Sequence, residues 1–176
     1  MLVVKQRHPR RPSIDWQVGN LRIAPARNGL GLFAARAYRA GDDILRLAGR
    51  IVHYELLWER GGTFADNCIR FGPNTYLDPA DHPGRYINHS CEPNAAIRKE
   101  RNQLFVFAIA RIRRGAELTF DYSTTIGDDD IWTMRCNCGA PSCRSRVRRF
   151  GTLPRQVRES YLARGAVPGC IVATLS

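Results

Sequence analysis

Residues 85–94 read Arg85-Tyr86-Ile87-Asn88-His89-Ser90-Cys91-Glu92-Pro93-Asn94, and the reading of this stretch decides the rest of the chain. It places Asn88, His89, Asn94, a thiol and a proline within ten residues. Asn, Ser and Pro favour turns and caps over element interiors, because they compete for backbone hydrogen bonds or remove one. An aromatic and a β-branched residue precede the polar run, so the stretch predicts a strand end passing into a functional loop. The plainer alternative is a polar surface turn.

Outward from it, short apolar runs separated by turn residues predict a β-rich fold. Leu21-Arg22-Ile23 alternates apolar and polar, Asn28-Gly29 turns the chain, and Gly31 to Ala35 resumes an apolar run. Residues 43–52 predict a strand pair interrupted at Gly49. Residues 53–60 carry Tyr54, Leu57 and Trp58 at helical spacing and predict one short helix, ended by Gly61-Gly62. Strands are expected over 67–71 and 75–77, then a loop over 78–84, whose prolines and glycine exclude a central strand. Residues 95–98 and 104–110 predict a hairpin around 100–102. Residues 123–135 read as a mobile lid. Residues 153–162 predict the clearest helix, with Pro154 at its first position, Val157, Tyr161 and Leu162 on one face, and Gly165 as its C-cap.

A chain of 176 residues suits one domain with a proper core. Its 44% hydrophobic content argues for a globular protein and against a disordered one. No run of about 18 apolar residues is present, so no membrane span is expected. The N-terminus MLVVKQRHPRRPSIDW sets apolar residues before basic ones, the reverse of a secretory signal, which predicts an intracellular protein. The net charge of +11 suggests a polyanionic partner, with basic clusters at Lys5–Arg11 and Arg144–Arg149. Lysine occurs only at positions 5 and 99, so a genome that favours arginine codons is an equally good explanation. Six cysteines in an intracellular chain suggest metal or catalysis before disulfides. Cys136, Cys138 and Cys143 fall within eight residues, three of the four ligands that a structural zinc takes. A redox thiol cluster is the alternative.

Two stretches flank the opening motif: Asn28-Gly29-Leu30-Gly31-Leu32-Phe33-Ala34 upstream and Glu117-Leu118-Thr119-Phe120-Asp121-Tyr122 downstream. Cys136-Asn137-Cys138-Gly139-Ala140-Pro141-Ser142-Cys143 follows them. A lone GxG or FDY carries little information. All four in this order resemble the signature of SET-domain protein lysine methyltransferases with a post-SET zinc motif, and the resemblance covers residues 21–147. It implies a mainly β SET-domain fold of short strands with a pseudoknot, a few short helices and a C-terminal helix. Asn88-His89-Ser90 and Glu117–Tyr122 would be the strands of that knot. The expected organisation is a basic N-terminal arm (1–18), a SET domain (19–134), a post-SET zinc segment (135–149) and a C-terminal helical extension (150–176).

The implied activity is S-adenosylmethionine-dependent methylation of a protein lysine. Methyl transfer from a sulfonium to an amine needs the amine neutral, aligned and shielded from water, with little covalent help. Glycine lets backbone approach a ligand closely. The resemblance accordingly puts Leu30, Gly31 and Leu32 beside the methionine part of the cofactor, and Arg85, Tyr86, Asn88, His89 and Tyr122 at further cofactor positions. Asn88 and His89 carry donors and acceptors suited to an adenine edge. Tyr122 is the implied catalytic residue, orienting the amine with a role in deprotonation, while Asp121 fixes backbone structure. Cys91 would supply the fourth zinc ligand beside Cys136, Cys138 and Cys143. Cys68 and Cys170 read as ordinary buried thiols.

Departures from the family pattern bear on the substrate. Leu47 and Cys68 stand where many members carry tyrosine, and Tyr76, Tyr86 and Trp132 are the candidates to compensate. Asp128-Asp129-Asp130 reads either as a landing site for a basic peptide or as a solvated loop with a helix N-cap. The expected partner is a histone, histone-like, ribosomal or host protein, with nucleic acid or nucleosome contact through the basic surface and no membrane. The compact form resembles bacterial SET proteins, which implies a bacterial cytoplasm, with chromatin or a host nucleus as the alternative. A different reading is an inactive SET-fold zinc module that binds nucleic acid or chromatin.

Overall fold

The computed structural model describes residues 16–175, apart from the side chains of Thr63 and Phe64. The basic cluster Lys5–Arg11 therefore lies outside the described residues. Strands β1 (Trp16–Val18), β2 (Leu21–Ala26) and β3 (Gly29–Ala34) form an antiparallel meander. Residues 16–18, the end of the expected N-terminal arm, pair with residues 21–23 as strand β1. The β2–β3 hairpin registers Ile23 against Leu32, and both side chains are buried. Gly29 closes its turn at φ 87°, a left-handed conformation that other residues resist.

The run 43–52 breaks into β4 (Asp43–Leu47) and β5 (Arg50–His53), as the Gly49 interruption suggests, but the two halves do not pair with each other. They enter different sheets. Between them Gly49 passes so close to the Asp78 carbonyl that a Cβ there would collide with it. Helix α1 (Tyr54–Arg60) follows, and α2 (Gly62–Asn67) begins where a helix end was expected. The next strand accordingly starts later than predicted: β6 (Ile69–Gly72), which joins β5 through β7 (Thr75–Asp78).

After a 3₁₀ turn over Pro83–Tyr86 comes β8 (Asn88–His89), then the predicted hairpin of β9 (Ala95–Glu100) and β10 (Gln103–Ala108). This hairpin pairs with β4 and shows strand periodicity on both faces. Ala95, Ile97, Leu104, Val106 and Ala108 point into the main core with Leu21, Ile23 and Leu32. Ala96 and Phe107 point the other way, into a second core with Phe150, Tyr161 and Ile171. Strand β11 (Thr119–Phe120) lies parallel to β8, with Thr119 opposite Asn88 and Phe120 opposite His89.

Strands β12 (Met134–Arg135) and β13 (Arg146–Val147) bracket the cysteine cluster. Helix α3 (Arg155–Ala163) and the short α4 (Gly169–Val172) cover the outer face of the β9–β10 hairpin. Pro154 is the N-cap of α3 and not its first helical residue, and Gly165 follows the C-cap at φ 62°. Leu162 is exposed, so Tyr161 and Val157 carry the buried face.

Candidate active site and metal centre

The polar side chains of the opening motif hold the β8–β11 crossing together. Asn88 Nδ2 donates to Leu30 O at 3.1 Å and to Glu117 Oε1 at 2.7 Å. Asn94 Nδ2 donates to Glu117 O at 2.8 Å, and its Oδ1 accepts from the Thr119 N–H at 3.1 Å. Gly31 makes room for this staple, since a Cβ there would stand 2.6 Å from Glu117 Oε1. Leu32 is fully buried, and its carbonyl accepts from the Leu118 N–H. Polar groups withdrawn from water need partners, and here remote backbone and the Glu117 carboxylate supply them.

Tyr122 stands at the end of this crossing. Its N–H donates to His89 Nδ1 at 3.2 Å and its hydroxyl donates to Ile87 O at 2.8 Å. Burial raises the phenol pKa above its ordinary value, and the charge of Glu117 adds to the rise. The phenol is thus protonated at neutral pH and already donates a hydrogen bond. Its ring is also one wall of a cleft of about 540 Å³. Tyr54, Trp58, Tyr76 and Trp132 form further walls, with Arg85, Ile87 and Cys68 between them. At its rim Trp58 and Ile131 are 67% and 64% exposed, two large apolar side chains beside one opening.

Of the three rings named as compensators, Tyr76 and Trp132 line this cleft and Tyr86 does not. Leu47 lies in the main core, paired opposite Leu104 and packed behind Gly84, a cleft residue, and does not itself line the cleft. Cys68 is a half-buried cleft residue and not an ordinary core thiol; burial, then the charge of Asp78, pushes its pKa up to about 12. Leu30, Gly31, Leu32, Tyr86, Asn88 and His89 do not line the cleft, whereas Arg85 and Tyr122 do.

The thiols gather beside Tyr122. Cys91 Sγ lies 3.8 Å from Cys136 Sγ, and Cys143 Sγ lies 3.5 Å from Cys136 Sγ. The ligand atoms of His89, Cys91, Cys136 and Cys138 are all within 4.8 Å of one another. Four sulfurs about 2.3 Å from a common zinc stand about 3.8 Å apart at the corners of a tetrahedron. The cluster fits such an ion. Five donors are nevertheless too many for four corners, and the hydrogen bonds choose among them. His89 Nδ1 accepts from Tyr122, so a neutral ring carries its proton on Nε2, which faces Cys91 Sγ at 3.4 Å. Burial holds the imidazole neutral, with a pKa near 4; Asp121 opposes that shift and Arg144 adds to it. With His89 so engaged toward Cys91, the four sulfurs of Cys91, Cys136, Cys138 and Cys143 are the candidate ligand set. The Arg144 N–H also donates to Cys91 Sγ, at 3.4 Å. This arrangement leaves His89 no free ring nitrogen for an adenine edge.

Asp121 is the hub behind the site. It is 1% exposed and accepts from Arg144 Nη2 at 2.8 and 2.7 Å, from the Tyr161 hydroxyl at 3.0 Å and from the Ser123 N–H at 3.1 Å. Its structural role matches the sequence expectation. The expected lid does not: Ser123 to Gly127 are buried and the following acids are tied down. Asp129 accepts two hydrogen bonds from the buried Arg70, Asp130 accepts from Tyr76, and Asp128 accepts from the Gly151 N–H. Each acid of the run thus has a partner in the fold, with Asp130 buried beside Tyr76 and Asp129 half exposed on Arg70, so it is neither a free landing site nor an unpaired solvated loop.

Sequence reasoning named Glu117, Arg144 and Tyr161 without their part in the site, and missed the Asp66–Trp132 contact, in which Trp132 Nε1 donates to Asp66 Oδ1 at 2.7 Å. Glu117 was findable as a lone carboxylate opening an otherwise apolar strand. The other partners are 23, 40 and 66 residues apart and leave no local signal.

The family model for the SET domain matches residues 29–123, over half of the chain. Human histone-lysine N-methyltransferase 2B is 34% identical over 155 residues, covering 81% of this chain and 6% of that protein. The H3 lysine-4 specific histone-lysine N-methyltransferase of Mycosarcoma maydis is 32% identical over 127 residues, covering 65% and 9%. This chain thus spans less than a tenth of the length of these curated relatives. Among solved structures, Arabidopsis thaliana SUVH6 in complex with SAM aligns with a TM-score of 0.61 at 23% identity, over 73% of this chain and 33% of that one. KRYPTONITE in complex with mCHH DNA, an H3(1-15) peptide and SAH aligns with a TM-score of 0.58 at 23% identity, over 73% and 29%. At that identity the structures speak to fold alone, and the fold agrees with the matched motifs, their order and the β8–β11 crossing: this chain belongs to the SET-domain family.

Proposed function

We propose that this chain is an S-adenosylmethionine-dependent methyltransferase acting on a lysine of a histone or another basic protein. The observation that carries the reading is the aromatic cleft, because Tyr122 belongs both to its wall and to the crossing of the two motif strands. An apolar enclosure disfavours an ammonium and so promotes the neutral amine that displacement requires. Aromatic faces attract whatever cationic character remains. Bound S-adenosylmethionine would supply the electrophilic methyl group. Tyr122 would orient the amine through its hydroxyl, and the rings around it would exclude water.

Cofactor contact is proposed at Leu30, Gly31, Leu32, Arg85, Tyr86, Asn88, His89 and Tyr122, with His89 contributing backbone. Zinc is proposed at Cys91, Cys136, Cys138 and Cys143, oriented by the His89 and Arg144 donors. The relatives support a histone substrate: their names state histone-lysine methylation, and KRYPTONITE was solved with a histone H3 peptide. A compact bacterial-type enzyme working in the cytoplasm, on a histone-like or ribosomal protein, remains part of the proposal; the relatives named above are eukaryotic.

The test is transfer of labelled methyl from S-adenosylmethionine to core histones and to a cell lysate, by wild type and Tyr122→Phe. Label on lysine, reduced at least about 10²-fold in the variant, is the expected result. No label with either substrate, together with no cofactor binding by calorimetry, overturns it in favour of an inactive zinc module.

A further inference from the structure

A second surface is built where two turns lie side by side. Residues 33–38 and 112–117 run antiparallel, bridged at Phe33–Glu117 and at Tyr38–Ile112. Reciprocal backbone bonds of 2.9 and 3.0 Å join Tyr38 and Ile112, and Gly115 N–H donates to Ala34 O at 2.7 Å. This pairing gathers Arg36, Arg39, Arg111, Arg113 and Arg114, all of them exposed. Arg39 and Arg111 fall opposite each other, one step beyond the Tyr38–Ile112 bridge. Arg36, Arg39 and Arg111 line one hollow with Tyr38, and Asp42 is its single acid. The Asp42 carboxylate already accepts from the Arg39 N–H at 2.8 Å. Among the described residues none of the five guanidinium groups forms an ion pair.

Like charges set opposite each other on paired backbone repel, so the patch gains stability from a counter-charge brought by a partner. Guanidinium forks suit phosphate oxygens, which they meet bidentately. Other polyanionic partners fit less well. The large exposed apolar side chains of the described chain all lie elsewhere, so nothing here would enter a lipid surface or anchor an acidic peptide. Tyr38 is only 2% exposed, which leaves no aromatic face for stacking the bases of a single strand. We infer that the Arg36–Arg39 and Arg111–Arg114 turns form a docking surface for the phosphate backbone of duplex nucleic acid. None of these residues lines the aromatic cleft. The surface also differs from the two basic clusters that the sequence displays as continuous runs.

The test is binding to a random-sequence DNA duplex without cofactor, read by fluorescence anisotropy across a salt series. Each phosphate contact contributes a slope of about −0.9 in log K against log salt. A variant with all five arginines changed to Gln is expected to be shallower than wild type by about 4. The same positions changed to Lys keep the charge and should restore most of the slope. A comparison variant, Arg135→Gln with Arg146→Gln and Arg148→Gln, should lose less than the five-fold variant. An unchanged slope in the five-Gln protein overturns the inference, as does a larger loss in the comparison variant. Binding to phosphatidylserine vesicles in preference to duplex, abolished by the same five changes, overturns it in favour of a lipid surface.

Discussion

Residues 136–147 and residues 150–172 both dock against the β core beside Asp121, yet they are held by different physics. The cysteine segment has a small apolar cluster, chiefly Ile126, Val147 and the thiols themselves. It has two short strands of two residues each, and on the proposed reading its cohesion comes from a zinc held by the converging sulfurs. The helical cover needs no such centre: Phe150, Leu153, Tyr161 and Ile171 are buried against Ala96 and Phe107. Asp121 joins the two, accepting from Arg144 of the first and Tyr161 of the second. A segment too short to bury a core can still be ordered beside Tyr122, the proposed catalytic residue, if a metal closes it.

The largest effect should follow loss of the metal. Cys136→Ser, or strong chelation, removes binding energy on the order of 10 kcal/mol from the cysteine segment. Hydrogen exchange should then rise over residues 132–147 and stay slow over 155–163, and methyl transfer should fall because Trp132 walls the cleft. Equal loss of protection in α3 would show that the two regions are one unit. Phe150→Ala comes next. It should lower unfolding stability in denaturant by about 3–5 kcal/mol while leaving zinc affinity unchanged. The smallest change sharpens the Asp121 link. Tyr161→Phe removes one hydrogen bond to a buried carboxylate, at a cost of about 1–2 kcal/mol, without altering zinc affinity. Asp121→Asn should exceed it and also weaken zinc retention, since Arg144 N–H meets Cys91. Equal effects of the two variants on stability and zinc would remove Asp121 as the shared anchor.

The hairpins at 21–34 and 95–108 and the helix at 155–163 were legible because neighbours in sequence make them. Ile23 and Leu32 alternate inward, the tight turn at Arg101-Asn102 adopts φ 47° and 60°, and Val157 and Tyr161 repeat at helical spacing. The fate of residues 43–52 was not legible. Their division between two sheets depends on Gly49 passing the Asp78 carbonyl, which is a distant contact. The stretch 123–135 misled for a related reason. Its composition is that of a loop, and only Arg70, Tyr76 and Gly151 reveal that its polar groups are satisfied inside the fold.

Taken alone, the residues determined the kind of chemistry gathered here: a glycine-rich strand, an Asn-His-Ser-Cys turn, a terminal tyrosine and a spaced trio of thiols, in one order. Those are properties of residue type and spacing, which the chain carries before it folds. The tertiary structure decided which atoms remain free to act. It turned Asn88 and Asn94 into staples, set His89 between Tyr122 and Cys91, tied the Tyr122 hydroxyl to the Ile87 carbonyl, and bound the acidic run to Arg70, Tyr76 and the Gly151 N–H. Hydrogen-bond partners and burial are set by residues far apart in the chain, and only folding brings them within reach.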